Sequence, residues 1–180
     1  SNGMAGRAIK NTLIKAGYGD ESLGGKILAS SRIELDLLNT KLVDEWFENN
    51  KPNIVILAAA KVGGIHANSV NPATFLLENL KIQTNVIEAA WRNKAKRLLF
   101  LGSSCIYPKY AEQPIREESL LEGQLEKTNE WYAIAKIAGI KLCESLRIQY
   151  DFDAISLMPT NLYGKGDNYH PTNSHVMASL

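Results

Sequence analysis

Cysteine, long apolar segments and excess charge are all scarce in this sequence. Only two cysteines occur in 180 residues, Cys105 and Cys143, and their spacing fits no disulfide framework. The longest apolar run, IVILAAA at 54–60, is too short to span a membrane, and no signal peptide is recognisable. These absences predict a cytoplasmic protein without disulfides or a membrane-spanning segment.

Charges of the two signs are nearly equal in number. The chain has 20 basic and 19 acidic residues spread along its length, with a net charge of +1. No basic face is therefore predicted for nucleic acid or for an anionic membrane surface. The three histidines show no metal-ligand spacing, so no metal site is predicted either. A small-molecule partner fits this composition best.

Apolar runs with strand character alternate with segments of helical periodicity over the whole chain. Composition is that of one globular domain, 1–180, because 45% of the residues are hydrophobic and 22% are charged. Strands this uniformly apolar are buried on both faces in a parallel sheet, so the fold class is α/β, a Rossmann-like doubly wound sheet. The predicted strands are 25–30, 53–59, 96–104 and 153–159, and the predicted helices are 4–16, 40–50, 72–93 and 130–150.

The predicted sheet lacks an element that this fold normally has. The opening SNGMAGRAI reads as the second half of a glycine-rich turn, but no strand precedes it. In the order 3-2-1-4-5-6 the first strand lies in the middle of the sheet. The segment NSHVMASL at 173–180 also begins a helical pattern without a cap. We therefore expect a chain truncated at both ends relative to a longer protein.

Gly3 and Gly6 open the first predicted helix and form a candidate phosphate site. Glycine lets the backbone approach a pyrophosphate, and the helix N-terminus offers free N–H groups. Two glycines three residues apart are weak evidence, because close packing of a loop and helix on a sheet has the same requirement. The strand-like segment that follows the helix favours the cofactor interpretation.

The segment LASSR at 28–32 bears on the choice of cofactor. Small hydroxyl side chains followed by Arg32 suit the 2′-phosphate of NADP, whereas NAD-binding domains usually place a carboxylate there. A solvated loop arginine is the alternative interpretation. Further cofactor contacts are expected beside the adenine and along the next strand end, at Asp36, Leu37, Ala58, Ala59 and Ala60.

Tyr132 and Lys136 are the candidate acid–base pair. Residues four apart on a helix are neighbours, and an ammonium near a phenol is expected to lower the phenol pKa toward neutrality. This spacing arises often by chance, so it carries weight only together with Ser103, which follows an apolar strand at the edge where α/β sheets bind ligands. A serine there otherwise serves as a turn residue.

Five long motifs stand out along the chain: LAAAKVGGI at 57–65, LLFLGSSCIYPK at 98–109, YAIAKIAGIKLCES at 132–145, MPTNLYG at 158–164 and HPTNSHV at 170–176. They resemble the extended short-chain dehydrogenase/reductases, and among them the GDP-L-fucose synthase family. The resemblance covers essentially all 180 residues.

The resemblance implies roles that spacing does not supply. Ser103 and Tyr132 correspond to the groups that bind the C4 keto oxygen of the sugar, and Lys136 to the residue that holds the nicotinamide ribose. Cys105 and His175 match the base and the partner acid of epimerisation. Without the resemblance, Cys105 would be interpreted as a small buried hydrophobe and His175 as a solvent-facing residue.

The same resemblance implies NADP(H) as cofactor, with further contacts from Asn161 and Leu162. It implies a nucleotide-sugar substrate, GDP-4-keto-6-deoxy-D-mannose, which is epimerised at C3 and C5 and reduced at C4. It also implies a homodimer through the helices near 72–93 and 130–150, although burial against the chain's own sheet accounts for some of their apolar residues. The family's C-terminal substrate domain has no counterpart in this sequence.

Two alternatives remain open at the level of sequence. Another nucleotide-sugar epimerase or dehydratase of the superfamily would share Tyr132 and Lys136 but would not need Cys105 and His175. A noncatalytic remnant that folds only with another chain would need none of them.

Overall fold

Three parallel strands form the only sheet among the described residues, which in this computed structural model are 3–167 and 169. The strands are β1 (Ile54–Leu57), β2 (Arg97–Leu101) and β3 (Ala154–Leu157). The helices are α1 (Met4–Lys15), α2 (Thr40–Asn50), α3 (Ile65–Val70), α4 (Pro72–Arg92) and α5 (Glu130–Tyr150), with 3₁₀ turns at Glu21–Leu23, Ser104–Ile106 and Glu117–Ser119.

The strands lie in the order β1-β2-β3, with Leu57 opposite Phe100 and Phe100 opposite Ser156. Because all three run parallel, their carboxyl ends meet at one edge of the sheet. We call this edge the carboxyl edge. It collects the segments that follow each strand, 58–60, 102–104 and 158–161. The parallel, Rossmann-like α/β class predicted from the sequence is confirmed.

The core lies on one face of the sheet. Leu98 and Phe100 of β2 are fully buried beneath α4 and α5, which pack against each other, while α2 packs on α4. Leu99 and Leu101, which point to the opposite face, are only half-buried. The expectation that the strands are buried on both faces is therefore met on one face alone among the described residues.

The prediction of a strand at 25–30 is wrong. These residues run without secondary structure, although 27–30 are half-buried. A strand is stabilised by ladder hydrogen bonds to a neighbour, and apolar composition alone does not make one. In the doubly wound order that neighbour is a strand before the first helix, and the described residues contain no such strand.

The other predicted elements are confirmed, and local chemistry accounts for several of their ends. The Asn39 side chain accepts the N–H of Leu42 and starts α2, and Pro72 occupies the first turn of α4. Asp151, in the left-handed conformation, ends α5. The three strands are shorter than predicted, and α3 was not predicted. Among the described residues, no helix has the length and apolarity needed to cross a membrane.

Helix α1 is attached to the rest of the described chain less firmly than the other long helices. None of its residues is buried, and its N-cap residue Gly3 offers no side-chain cap. The Arg7 guanidinium donates a hydrogen bond of 3.0 Å to the carbonyl of Gly166, which joins the helix to the segment after β3. The first turn of α1, with Gly3 and Gly6, is thereby held near that segment.

Candidate active site

The loop that leaves β2 carries Ser103 and Cys105. Ser103 has an extended backbone, and its hydroxyl accepts the N–H of Cys105 at 3.5 Å, which starts the 3₁₀ turn Ser104–Ile106. Burial raises the pKa of the Cys105 thiol, and the neighbouring Ser103 hydroxyl opposes that rise. The turn thus places a hydroxyl and a thiol side by side at the carboxyl edge.

Helix α5 brings Tyr132 and Lys136 to the same place. The Lys136 side chain is buried, and its Nζ donates a hydrogen bond of 2.7 Å to the carbonyl of Leu101, the last residue of β2. The Nζ lies 4.7 Å from the centre of the Phe100 ring and 5.7 Å from the centre of the Tyr132 ring. The ammonium therefore lies over the face of the Tyr132 ring and is anchored to the strand.

The Tyr132 phenol responds to its surroundings in a direction that the sequence did not predict. Its pKa is raised, chiefly by burial and further by the charge of an ionised Cys105, while a hydrogen bond with Ser103 acts the other way. The expectation that Lys136 lowers the phenol pKa toward neutrality is wrong for this structure. The phenol is protonated at neutral pH.

Cys105 and Lys136 influence each other. Burial raises the pKa of the Cys105 thiol, and the Ser103 hydroxyl and the Lys136 charge partly offset that rise. Burial also lowers the pKa of Lys136 to about 8, partly offset by Cys105. These mutual effects join Ser103, Cys105, Tyr132 and Lys136 into one group of side chains, here called the acid–base cluster.

Replacing Lys136 with methionine is expected to change how stability depends on pH. The pKa of Lys136 falls from 10.5 to about 8 on folding, so within that window the unfolded chain holds a proton that the folded chain has lost. The free energy of unfolding of the unsubstituted chain should therefore rise, relative to Lys136→Met, by about 3 kcal/mol across the window.

Urea unfolding of both proteins at a series of pH values measures this difference. Burial raises the pKa of Cys143 to about 11 and so contributes with the opposite sign, but it does so in both proteins and cancels. A stability difference that stays flat between neutral pH and the upper end of the window would show that the Lys136 pKa is not lowered by folding.

Apart from Gly3, Gly6 and Lys136, the predicted cofactor contacts lie in four separate segments. Ala58 and Ala60 are half-buried and Ala59 is exposed, directly after β1 at the carboxyl edge. Asn161 and Leu162 are exposed after β3, at the same edge. Small side chains after β1 leave its backbone open to a flat ligand.

The other two segments precede α2. Asp36 accepts the N–H of Leu38 at 3.1 Å, and Leu37 packs against the core with its carbonyl bonded to the Asn85 amide at 2.8 Å. Arg32 is exposed in a turn in which the Glu34 carboxylate accepts the N–H of Ser31 at 2.6 Å. His175, the predicted partner acid, lies outside the described residues.

Two buried carboxamides of α4 were missed in the sequence. The Asn79 side chain forms two hydrogen bonds with the backbone of Lys61 in the loop after β1: it accepts the N–H at 2.9 Å and donates to the carbonyl at 3.0 Å. The Gln83 amide donates 2.6 Å to the carbonyl of Ala135 on α5. Polar residues four apart on the apolar face of an amphipathic helix were the signal that could have found them.

The acid–base cluster offers a hydroxyl, a phenol, a thiol and an ammonium, which are groups for proton transfer and for hydrogen bonding to a carbonyl oxygen. In the described ranges, no three His, Cys, Asp or Glu side chains are grouped so that they could hold a metal ion.

A sequence model of the NAD dependent epimerase/dehydratase family matches residues 1–180. The chain belongs to this family. The small residues after β1 and the tyrosine and lysine on α5 are therefore found in a family whose description names a nicotinamide cofactor.

Within the epimerase/dehydratase family, this chain is similar to GDP-L-fucose synthases. It is 56% identical over 179 residues to probable GDP-L-fucose synthase 1 of Oryza sativa subsp. japonica, covering 99% of this chain and 53% of that protein. It is 53% identical over 178 residues to the GDP-L-fucose synthase of Escherichia coli K12, covering 99% of this chain and 54% of that protein. The resemblance drawn from the motifs is confirmed, and the chain spans about half the length of these relatives.

A solved structure of similar fold is that of MlghC, a GDP-mannoheptose C4 reductase from Campylobacter jejuni with NADP bound. It is 40% identical to this epimerase/dehydratase-family chain, with a TM-score of 0.89 over 98% of this chain and 51% of the other. The Rossmann-like fold is thus shared with a protein that binds a nicotinamide cofactor.

Proposed function

We propose that this chain carries the acid–base residues for NADPH-dependent conversion of GDP-4-keto-6-deoxy-D-mannose to GDP-L-fucose. The observation that carries the proposal is geometric: the loop after β2 with Ser103 and Cys105 contacts α5, where Lys136 lies over the Tyr132 ring and donates a hydrogen bond to the last residue of β2. The names of the relatives from rice and Escherichia coli support the choice of substrate.

Epimerisation requires removal of protons at C3 and C5, which the C4 ketone acidifies. Cys105 is the proposed base, and it must act as a thiolate although burial raises its pKa. The Ser103 hydroxyl and the Lys136 ammonium stabilise that thiolate. Ser103 and Tyr132 donate hydrogen bonds to the C4 oxygen, where the charge of the enolate develops. His175 is proposed to return the proton from the opposite face.

Reduction at C4 needs a proton donor at the keto oxygen. Burial raises the pKa of Tyr132, so its phenol is protonated at neutral pH and ready to donate. The Ser103 hydroxyl, which influences the pKa of the phenol, is proposed to hold the same oxygen. NADPH, when bound, supplies the hydride to C4. The lysine anchored to Leu101 is proposed to hold the nicotinamide ribose.

NADP is the proposed form of the cofactor, and the residues present fit it. The exposed Arg32 guanidinium is available for a 2′-phosphate, and the small residues Ala58, Ala59 and Ala60 leave the β1 backbone accessible. NADP in the Campylobacter jejuni relative supports the assignment. Asp36 and Leu37, Asn161 and Leu162, and the turn with Gly3 and Gly6 complete the proposed contact set.

A homodimer is also proposed. Both long helices leave apolar side chains exposed although they pack on each other: Leu77 of α4 is 56% exposed, and Trp131 and Ile148 of α5 are 42% and 79% exposed. Association of α4 and α5 with their counterparts in a second copy would cover such residues. The cytoplasmic location remains a prediction.

Incubation of the purified chain with the 4-keto sugar in D₂O tests the proposed function. Deuterium is expected at C3 and C5 before NADPH is added, followed by NADPH oxidation and formation of GDP-L-fucose, both followed by NMR. NADPH oxidation without deuterium at these carbons would instead indicate a C4 reductase. Binding of NADPH with neither reaction would support the noncatalytic alternative, and either result overturns the proposal.

A further inference from the structure

Gln83 connects the two long helices from inside the core. Its side chain is 3% exposed, and its Nε2 donates a short hydrogen bond of 2.6 Å to the backbone carbonyl of Ala135. Burying a carboxamide is costly unless it is hydrogen-bonded, so loss of this hydrogen bond would leave an unsatisfied donor in the core. It fixes α4 against one particular turn of α5.

Gly139 makes the approach possible. A Cβ atom built at this position would lie 2.9 Å from the carboxamide carbon of Gln83 and 2.6 Å from Cζ of Phe100. Any larger residue at 139 would force Phe100, Gln83 or α5 itself to shift. The glutamine, the glycine and the aromatic ring are therefore packed into one contact between α4, α5 and β2.

That contact lies beside the acid–base cluster. Ala135, the acceptor, stands between Tyr132 and Lys136 on α5 and directly precedes the lysine. The Phe100 ring that meets Gly139 also lies 4.7 Å from the lysine Nζ. The turn of α5 that contains Ala135 also carries Lys136. How closely that turn packs on β2 determines whether the Lys136 Nζ reaches the carbonyl of Leu101, to which it donates a hydrogen bond of 2.7 Å.

We infer that Gln83 is a positioning residue that sets the depth of Tyr132 and Lys136 in the acid–base cluster. The inference rests on the proposed function, because positioning has a catalytic consequence only if these two side chains act on substrate. Displacement of a reacting group by about 1 Å lowers rates by about 10²-fold. Loss of one hydrogen bond so close to the lysine can therefore cost turnover without unfolding the chain.

Two substitutions separate positioning from packing. Gln83→Met keeps the approximate volume but removes the donor, and kcat is expected to fall by about tenfold or more. Gln83→Glu places a carboxylate opposite the carbonyl of Ala135 when ionised, but its protonated form can donate the lost hydrogen bond. The kcat of Gln83→Glu should therefore recover as pH is lowered, relative to Gln83→Met at the same pH.

Gln149→Met, which removes an exposed amide bonded to the Tyr150 hydroxyl, is the matched control on α5 and should leave kcat unchanged.

A second measurement does not depend on turnover. Titration of the ¹³Cε resonance of Lys136, assigned with Lys136→Arg, follows its pKa, with Cys105 and Tyr132 as the ionisable neighbours. In Gln83→Met the pKa should rise from about 8 toward the ordinary value, because a loosened turn admits water to the ammonium. An unchanged titration together with lowered stability would overturn the inference and leave Gln83 a packing residue. If the unsubstituted chain lacks turnover, the proposed function fails while this titration still decides the positioning.

Discussion

Replacing Tyr132 with phenylalanine is expected to lower kcat for C4 reduction by about 10²- to 10⁴-fold, the range usual for loss of a general acid. The substitution removes one hydroxyl from a half-buried ring and keeps its shape, so the fold and NADPH binding should survive. Deuterium exchange at C3 and C5 should fall less, because Ser103 still donates to the enolate oxygen. NADPH oxidation under single-turnover conditions and NMR of the exchanged sugar measure the two steps separately.

Tyr150→Phe is the matched control for that experiment. Tyr150 is the last residue of the same helix, is 48% exposed and stacks on Trp91, away from the carboxyl edge. Its loss should leave both reactions unchanged. If Tyr132→Phe reduced the keto sugar as fast as the unsubstituted chain, the proton would have to come from another group, and the proposed role of the phenol would be lost.

Element ends are predicted well wherever a local signal sets them. The Asn39 cap and the first-turn Pro72 mark where α2 and α4 begin, and both helices start where the sequence placed them. The segment 25–30 has no local sequence signal of this kind. Its composition favours a strand, but strand formation depends on a neighbour that sequence composition does not reveal. Prediction therefore failed for 25–30, which has no paired neighbour among the described residues, and succeeded for 53–59, 96–104 and 153–159, whose strands pair with one another.

The electrostatics of the cluster could not be predicted for a related reason. Spacing on a helix predicts that Tyr132 and Lys136 are neighbours, and they are. It does not show that the Nζ turns to the carbonyl of Leu101, nor that burial outweighs charge at the phenol. The sign of a pKa shift depends on how deeply the group is buried and on where neighbouring charged side chains point. Those are properties of packing, which Gln83 and Gly139 partly determine.

Replacing Cys105 with serine is expected to slow deuterium exchange at C3 and C5 by about 10²- to 10⁴-fold, because a serine hydroxyl is a far poorer base than a thiolate. Ser103, Tyr132 and Lys136 remain, so C4 reduction should continue. The product should then be a GDP-6-deoxy-D-hexose that keeps the substrate configuration at C3 and C5. NMR of the product distinguishes it from GDP-L-fucose.

Cys143→Ser provides the comparison for the second cysteine. Cys143 is 1% exposed in the core, and burial raises its pKa to about 11, so it is expected to take no part in exchange. Its substitution should lower stability but not change the ratio of exchange to reduction. If exchange is lost in Cys105→Ser but not in Cys143→Ser, the base is the Cys105 thiol, whose pKa Ser103 and Lys136 influence. Undiminished exchange in Cys105→Ser would remove the thiol from the mechanism and leave the cluster with the chemistry of a C4 reductase.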